Sequence, residues 1–193
     1  MKICVYGAAS SEIDELFIEA GKDLGRKMVE RGHSLVFGGG RGGMMGAVAS
    51  GAAEKGGEII GISPKFFEEN NAEIIFPNCT TLIQPDTMRQ RKGLLDETSD
   101  AFIMAPGGIG TFDEFFEILT LKQLGRHNKA IVVFNVDGYY DNLLKMMEWS
   151  IEKKFITEDC VDMYKVTTTA EETLDYIEKY VPEDIDISAL KLR

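Results

Sequence analysis

The sequence predicts an α/β fold in which a parallel β-sheet carries helices on both faces. Short, continuous apolar runs rich in Val, Ile and Phe alternate with longer helical patterns along the chain. Continuous apolar runs are typical of strands buried on both faces, and strands that alternate with helices pair in parallel. No linker, repeat or low-complexity segment interrupts this alternation. We therefore expect a single domain over residues 1–181 and a C-terminal tail over residues 182–193.

Each predicted element follows from its local pattern, taken in chain order. The strands are the short apolar runs, and the helices are the segments between them in which apolar residues recur with a helical period. The predicted strands are Ile3–Ala8, Ser34–Phe37, Glu58–Ile62, Thr80–Ile83, Ala101–Ala105, Ala130–Asn135 and Lys165–Thr168. The predicted helices are Glu12–Arg31, Gly43–Lys55, Asp86–Thr98, Phe112–Leu124, Tyr139–Lys154 and Ala170–Tyr180.

The charge of the chain limits the classes of partner. The formal net charge is -11, so the surface repels both nucleic-acid backbones and anionic membranes. We expect neither as a partner. A small anionic ligand remains compatible with this charge, because backbone N–H groups at helix N-termini can hold an anion locally.

Cysteine and histidine usage indicates the compartment and argues against a metal site. Cys4, Cys79 and Cys160 are far apart, and His33 and His127 are the only histidines. No spacing typical of a metal site is present, so we predict none. No apolar run reaches membrane-spanning length and no signal-peptide pattern is seen, so we expect a cytoplasmic protein with buried thiols.

Three glycine-rich loops follow predicted strands and lead into predicted helices. They are residues 7–11, 38–43 and 106–111. The carboxyl ends of parallel strands meet at one edge of a sheet, where ligands bind, and helix N-termini favour phosphate. The loops predict a phosphate or nucleotide site, although glycine can also serve tight turns for steric reasons alone. The dinucleotide fingerprint is broken after the first strand and the P-loop pattern is absent, which disfavours NAD and ATP.

The carboxylates after the third loop allow two interpretations. Thr111 and Glu114 match a capping box at the N-terminus of a helix. In such a box the threonine side chain accepts from the backbone N–H of the glutamate, and the glutamate side chain accepts from the backbone N–H of the threonine. However, Glu117 lies one turn beyond Glu114 on a partly apolar face, where two acids repel each other. Acids in such a place require a cationic partner or a chemical role.

Arg91 is a candidate for that cationic partner. In the predicted helix Asp86–Thr98, Leu94 and Leu95 mark the apolar face and Arg91 falls within the same arc. A buried ion pair that holds two elements together is one interpretation. The other is a guanidinium at a ligand crevice, where it binds a phosphate or carboxylate. In both cases Arg91 could meet Glu114.

These residues carry a resemblance to a known family. Met88–Lys92 followed by Pro106–Glu114 resembles the paired motifs M-x-x-R-K and P-G-G-x-G-T-x-x-E of the LOG family. These are cytokinin riboside 5'-monophosphate phosphoribohydrolases, which are often labelled lysine decarboxylases. The run Gly38–Gly40 and the first loop with Ser10 also fit. A decarboxylase would need a pyridoxal-bearing lysine, and no lysine here has a context that indicates one.

The resemblance implies a Rossmann-like, doubly wound sheet and a homodimer with sites near the subunit interface. It implies hydrolysis of the N-glycosidic bond of adenosine 5'-monophosphate, or an N6-modified form, to free base and ribose 5-phosphate, without a cofactor. Arg91 and Glu114 match the catalytic pair of the family. The expected substrate-binding residues are Ser10, Gly39, Gly40, Met88, Lys92, Gly107, Gly108, Gly110, Thr111 and Glu117.

One alternative stays open at this point. A nucleotide or cofactor carrier could use the same fold and the same loops without turnover. Such a carrier does not require a paired arginine and glutamate, so Arg91 and Glu114 favour the enzyme. An unrelated dinucleotide-dependent enzyme is disfavoured by the broken fingerprint.

Overall fold

The computed structural model describes residues 1–69 and 74–182. Within them lies a seven-stranded sheet in the order β4-β3-β2-β1-β5-β6-β7, and each pair of neighbouring strands is parallel. The predicted doubly wound α/β fold is therefore confirmed. The strands are β1 (Lys2–Tyr6), β2 (Ser34–Phe37), β3 (Ile59–Ile62), β4 (Thr81–Ile83), β5 (Ala101–Met104), β6 (Ala130–Phe134) and β7 (Lys165–Thr167).

The helices agree with the predicted ones apart from their ends and one addition. The short helix α3 was not predicted, and α5 begins at Ile109 instead of the predicted Phe112. This earlier start of α5 matters for the site. The helices are α1 (Glu15–Glu30), α2 (Gly43–Glu54), α3 (Lys65–Glu69), α4 (Met88–Thr98), α5 (Ile109–Gln123), α6 (Asp141–Glu152) and α7 (Ala170–Lys179).

The sheet separates two apolar cores because successive side chains of a strand point to opposite faces. On β1, Ile3 and Val5 belong to the core that includes residues of α1, α2 and α7, whereas Cys4 and Tyr6 belong to the core that includes residues of α4, α5 and α6. Helices therefore cover both faces, as the continuous apolar strands predicted. The helix pair α4 and α5, which carries the two motifs, lies on the Tyr6 side of the sheet.

The chain reverses its direction across the sheet beside β1. It passes outward through β2, β3 and β4 and then returns to the other side of β1 as β5. Ligands of such sheets bind at the carboxyl ends of the strands where this reversal occurs. Here the backbone N–H of Ala8 donates to the carbonyl of Pro106 at 3.0 Å, and the N–H of Met45 donates to the carbonyl of Ala8 at 3.1 Å. These bonds bring the first loop into contact with the third loop and with the start of α2, to which the second loop leads.

The C-terminal part of the chain is described as far as Pro182. Residues 183–193 of the predicted tail lie outside the described residues. In the part of the chain that the structure covers, no helix has both the length and the apolar character needed to cross a bilayer.

Candidate functional site

Arg91 of α4 and Glu114 of α5 form a buried ion pair at the reversal point of the sheet. Nη1 of Arg91 lies 2.5 Å from Oε1 of Glu114, and their side chains are only 7% and 10% exposed. Nε of Arg91 also donates to the carbonyl of Ile62, at the end of β3, at 3.1 Å. The two residues that the motifs singled out therefore meet, and the guanidinium is held from two directions.

The sequence around α4 and β2 explains how Arg91 reaches this place. A capping box starts α4: the N–H of Gln90 donates to Oγ1 of Thr87 at 3.2 Å, and the N–H of Thr87 donates to Oε1 of Gln90 at 3.1 Å. Arg91 follows directly and points toward the sheet. A Cβ at Gly38 would overlap the guanidinium, so glycine at this position makes room for the arginine.

The surroundings of Glu114 alter its acidity. Burial raises the pKa of the Glu114 carboxyl above its ordinary value, and the guanidinium of Arg91 opposes part of that rise. A carboxyl group with a raised pKa can exchange a proton closer to neutral pH than an exposed glutamate can. The site therefore contains one fixed positive charge and one titratable acid in direct contact.

The predicted capping box of Thr111 and Glu114 is wrong. Helix α5 begins earlier than predicted, with Gly108 as its N-cap residue and no side-chain capping bond. Thr111 consequently lies inside the first turn and is buried. Glu114 is then one turn further along the helix, where its carboxylate turns toward Arg91 instead of capping the helix N-terminus.

The glycines of the third loop fall into two groups. A Cβ at Gly107 would overlap the side chain of Thr111, so the fold itself requires glycine there. At Gly108 and Gly110, by contrast, a Cβ would meet nothing within 4 Å in the described chain beyond the adjacent residues and the local helix backbone, and Gly108 has an ordinary φ of -101°. Neither steric contact nor backbone conformation within the described residues requires these two glycines. They leave the N-terminus of α5 open to close approach from outside.

Lys92 joins α4 to α5 beside the buried pair. Its Nζ lies 2.6 Å from Oε2 of Glu117 and 3.2 Å from Oδ2 of Asp113. The contact with Glu117 raises the pKa of Lys92, which therefore remains a cation. The predicted repulsion between Glu117 and Glu114 is relieved because Glu117 has Lys92 as its partner.

The remaining predicted residues lie along the same edge of the sheet. Ser10 is exposed in the first loop and accepts a hydrogen bond from the N–H of Glu12 at 3.3 Å. Gly39 has a φ of +89°, which favours glycine, and Gly40 pairs with Ile75 in an antiparallel bridge. Met88 is the exposed first residue of α4.

Across residues 1–69 and 74–182, no cluster of three or more His, Cys, Asp or Glu could hold a metal ion.

Two tyrosines that the sequence did not single out support the third loop. The hydroxyl of Tyr139 donates to the carbonyl of Gly107 at 2.8 Å, and that of Tyr140 donates to the carbonyl of Ala105 at 2.7 Å. The Asp-Gly dipeptide at residues 137–138, which follows β6 after Asn135 and Val136, is a turn signal that could have directed attention to them. The sequence pattern itself predicts only the start of a helix at Tyr139.

Comparison with known proteins assigns the family. The family model described as "Possible lysine decarboxylase" matches residues 45–177, a range that includes both motifs. The chain is 37% identical over 181 residues to the "Probable cytokinin riboside 5'-monophosphate phosphoribohydrolase LOGL3" of Oryza sativa subsp. japonica, covering 94% of this chain and 85% of that protein. It is 35% identical over 185 residues to the "Cytokinin riboside 5'-monophosphate phosphoribohydrolase LOG2" of Arabidopsis thaliana, covering 96% and 86%. The chain belongs to the LOG family.

The fold of this LOG-family chain also occurs in more distant proteins. The molybdenum cofactor binding protein of the phototrophic bacterium Rippkaea orientalis superposes with a TM-score of 0.70 at 20% identity, over 92% of this chain and 94% of that one. At that identity the likeness shows a shared fold and nothing about the ligand. The family membership rests on the sequence comparisons.

Proposed function

We propose that this LOG-family protein hydrolyses the N-glycosidic bond of adenosine 5'-monophosphate or of an N6-modified form, releasing the free base and ribose 5-phosphate. The observation that carries the proposal is the buried Arg91–Glu114 pair beside the open N-terminus of α5. The printed names of the relatives, which describe phosphoribohydrolases of cytokinin riboside 5'-monophosphates, support the same reaction.

The 5'-phosphate is proposed to bind at the start of α5. The first N–H groups of a helix have no partner within the helix, and together with the helix dipole they attract an anion. The backbone N–H groups of Gly108, Gly110 and Thr111 supply these donors. Gly107 lets Thr111 pack beneath the loop, and Gly108 and Gly110 leave space for the phosphate oxygens.

Glu114 is proposed to act on the sugar. Breaking the bond between C1' and the base nitrogen sends its electron pair to the base and leaves oxocarbenium-like charge on the ribose, as in glycoside hydrolysis. The carboxylate of Glu114 stabilises this charge and accepts a proton from the water that bonds to C1'. That proton balances the one that the departing base takes up. Arg91 holds the carboxylate in place and adds positive charge next to the phosphate-bearing ribose.

The other predicted contacts complete the proposed site. Ser10, Gly39 and Gly40 come from the first two loops, and Met88 comes from the start of α4. Lys92 and Glu117 are proposed to contact the substrate from the rim, where their mutual ion pair fixes both side chains. The reaction needs no metal or redox cofactor, because the charge it develops is of a kind that a carboxylate can stabilise.

A second copy of the chain is the proposed protein partner. Ile109 and Phe116 of α5 are apolar yet 82% and 37% exposed, and they line one surface groove together with Phe112 and Leu121. Met88 at the start of α4 is also exposed. Apolar side chains that cluster on a surface mark an interaction site more often than scattered ones do. A homodimer would cover these apolar side chains next to the substrate.

The net charge of -11 disfavours nucleic acid and anionic membranes as partners. The three free cysteines favour a location in the cytoplasm.

The proposal is tested by product analysis and binding on the same purified protein. AMP and N6-isopentenyl-AMP are each incubated with the protein, and the mixture is separated by chromatography. Release of free base together with ribose 5-phosphate supports the hydrolase. Binding of AMP in a calorimetric titration without any release of base would replace it with the nucleotide carrier.

A further inference from the structure

The turn after β6 directs two tyrosines at the third glycine-rich loop. Asp137 has a φ of +51° and Gly138 a φ of +70°, so both residues of the turn lie in the left-handed region. Asn135 stabilises the turn: its Oδ1 accepts from the N–H of Tyr140 at 2.7 Å, and its Nδ2 donates to Asp141 at 2.8 Å. A left-handed non-glycine residue costs free energy and persists where the surrounding structure fixes it.

Three hydrogen bonds, two from these tyrosines and one from the first loop, fix the carbonyls of three consecutive residues of the third loop. Tyr140 donates to Ala105 at 2.7 Å, the N–H of Ala8 donates to Pro106 at 3.0 Å, and Tyr139 donates to Gly107 at 2.8 Å. In a trans peptide unit the C=O and the following N–H point in opposite directions. Holding the carbonyl of Gly107 therefore also fixes the direction of the N–H of Gly108, one of the proposed phosphate donors.

We propose that Tyr139 is a positioning residue that sets the affinity for the 5'-phosphate by orienting the Gly107–Gly108 peptide. This inference rests on the proposed function for the identity of the ligand. Tyr140 fixes the carbonyl of Ala105 from the interior of the protein, where burial raises the pKa of the tyrosine hydroxyl and keeps it a neutral donor. The two tyrosines thus hold the loop in a conformation that is ready to bind before the ligand arrives.

Tyr139 offers a clean test because its ring and its hydroxyl have separate contacts. The residue is 45% exposed, and its ring packs edge-on against Phe17, with centroids 5.7 Å apart. Phenylalanine keeps that packing and removes only the hydrogen bond to Gly107. The matched control is Tyr176→Phe, which makes the same chemical change on α7, where the ring of Tyr176 packs against Tyr180.

The experiment compares the full-length wild type, Tyr139→Phe and Tyr176→Phe in calorimetric titrations with ribose 5-phosphate and in turnover of AMP. Loss of one neutral hydrogen bond is expected to weaken ribose 5-phosphate binding about three- to tenfold in Tyr139→Phe. The KM for AMP rises by a similar factor while kcat changes little. Tyr176→Phe behaves as the wild type in both measurements.

The outcomes separate this inference from the proposed function. If the wild type binds ribose 5-phosphate but never releases base, the proposed hydrolase activity is excluded. The titrations still test the positioning role of Tyr139 in that case. Equal dissociation constants and equal KM values in the wild type and Tyr139→Phe overturn the positioning role, even with full turnover. A fall in kcat and melting temperature at unchanged affinity also overturns it, since that result indicates a general structural role.

Discussion

Arg91 and Glu114 are 23 residues apart in the sequence, and their side chains meet at 2.5 Å inside the protein. Helix α4 supplies the cation and α5 the carboxylate, so the pair joins the two helices that carry the family motifs. The pair also lies at the carboxyl ends of the strands, where the glycine-rich loops meet. One contact therefore connects the packing of the helices to the proposed chemistry.

Removal of Arg91 is expected to lower stability because it leaves the Glu114 carboxyl buried without its partner. Breaking a buried pair from one side typically costs about 3–5 kcal/mol of the free energy of unfolding. We expect a loss of that size in Arg91→Ala, measured by chemical denaturation. The double variant Arg91→Met/Glu114→Leu should recover most of it, because no buried charge remains.

The control for this prediction is an ion pair at the surface. Lys179 on α7 pairs with Asp175 at 3.1 Å, and its side chain is 76% exposed. Lys179→Ala should leave the denaturation midpoint nearly unchanged, because water screens such pairs. If Arg91→Ala were no more destabilising than Lys179→Ala, the account of a buried, interdependent pair would be wrong.

The pH dependence of turnover follows from the raised pKa of Glu114. The proposed base must be ionised, so activity is lost as the pH falls through the pKa of this carboxyl in the free enzyme. Because burial raises that pKa, the acid limb of the kcat/KM profile should lie above the ordinary value of 4.5. Arg91→Met should move the limb of any residual activity further upward, since the opposing cation is gone. An acid limb at or below 4.5 would exclude this role for Glu114.

The loop glycines are expected to separate ligand binding from folding. Gly108→Ala adds a methyl group where the described chain leaves open space, so the melting temperature should hold while AMP binding weakens. Gly107→Ala forces overlap with Thr111 and should lower the melting temperature. Gly93→Ala on α4, another open glycine, is the control and should keep AMP binding unchanged. Normal AMP affinity in Gly108→Ala would argue against a phosphate at this loop.

The proposed dimer is tested at the exposed face of α5. Phe116→Asp places a charge in the surface that we propose a second copy covers, and it should shift a dimer toward monomer in light scattering after gel filtration. Leu16→Asp, a similar change at an exposed residue of α1, should leave the assembly unchanged. A wild type that is monomeric at micromolar concentration, or a Phe116→Asp variant that stays dimeric, would contradict the proposed interface.

The fold and the two members of the buried ion pair could be predicted from the sequence. The apolar run of β6 is continuous because both faces of that strand are covered, and this pattern predicts a parallel sheet directly. Arg91 stood out because it is a lone charge among apolar positions of a helix, and a buried arginine requires an acid. Glu114 was the candidate acid because it lies in the second motif, which follows the motif that contains Arg91.

Other features depend on contacts between distant segments and could not be predicted from local patterns. The early start of α5 places Thr111 inside the helix, although its spacing from Glu114 favours a capping box. The loop before that helix is fixed by Ala8 and Tyr139, which come from the first and sixth strand-to-helix connections. Lys92 likewise pairs with Glu117 only because α4 and α5 lie side by side.

The most direct test of the account is the rate of base release from AMP by Glu114→Gln, compared with the wild type and with Glu97→Gln. Glutamine keeps the shape of the side chain and a hydrogen-bond acceptor for Arg91 but cannot take up a proton. Glu97 is an exposed glutamate on α4 and serves as the matched control. We expect Glu114→Gln to bind AMP and to lose about 10²- to 10⁴-fold in turnover, while Glu97→Gln keeps the wild-type rate. Turnover at the wild-type rate in a folded Glu114→Gln protein would contradict the central role assigned to this carboxylate.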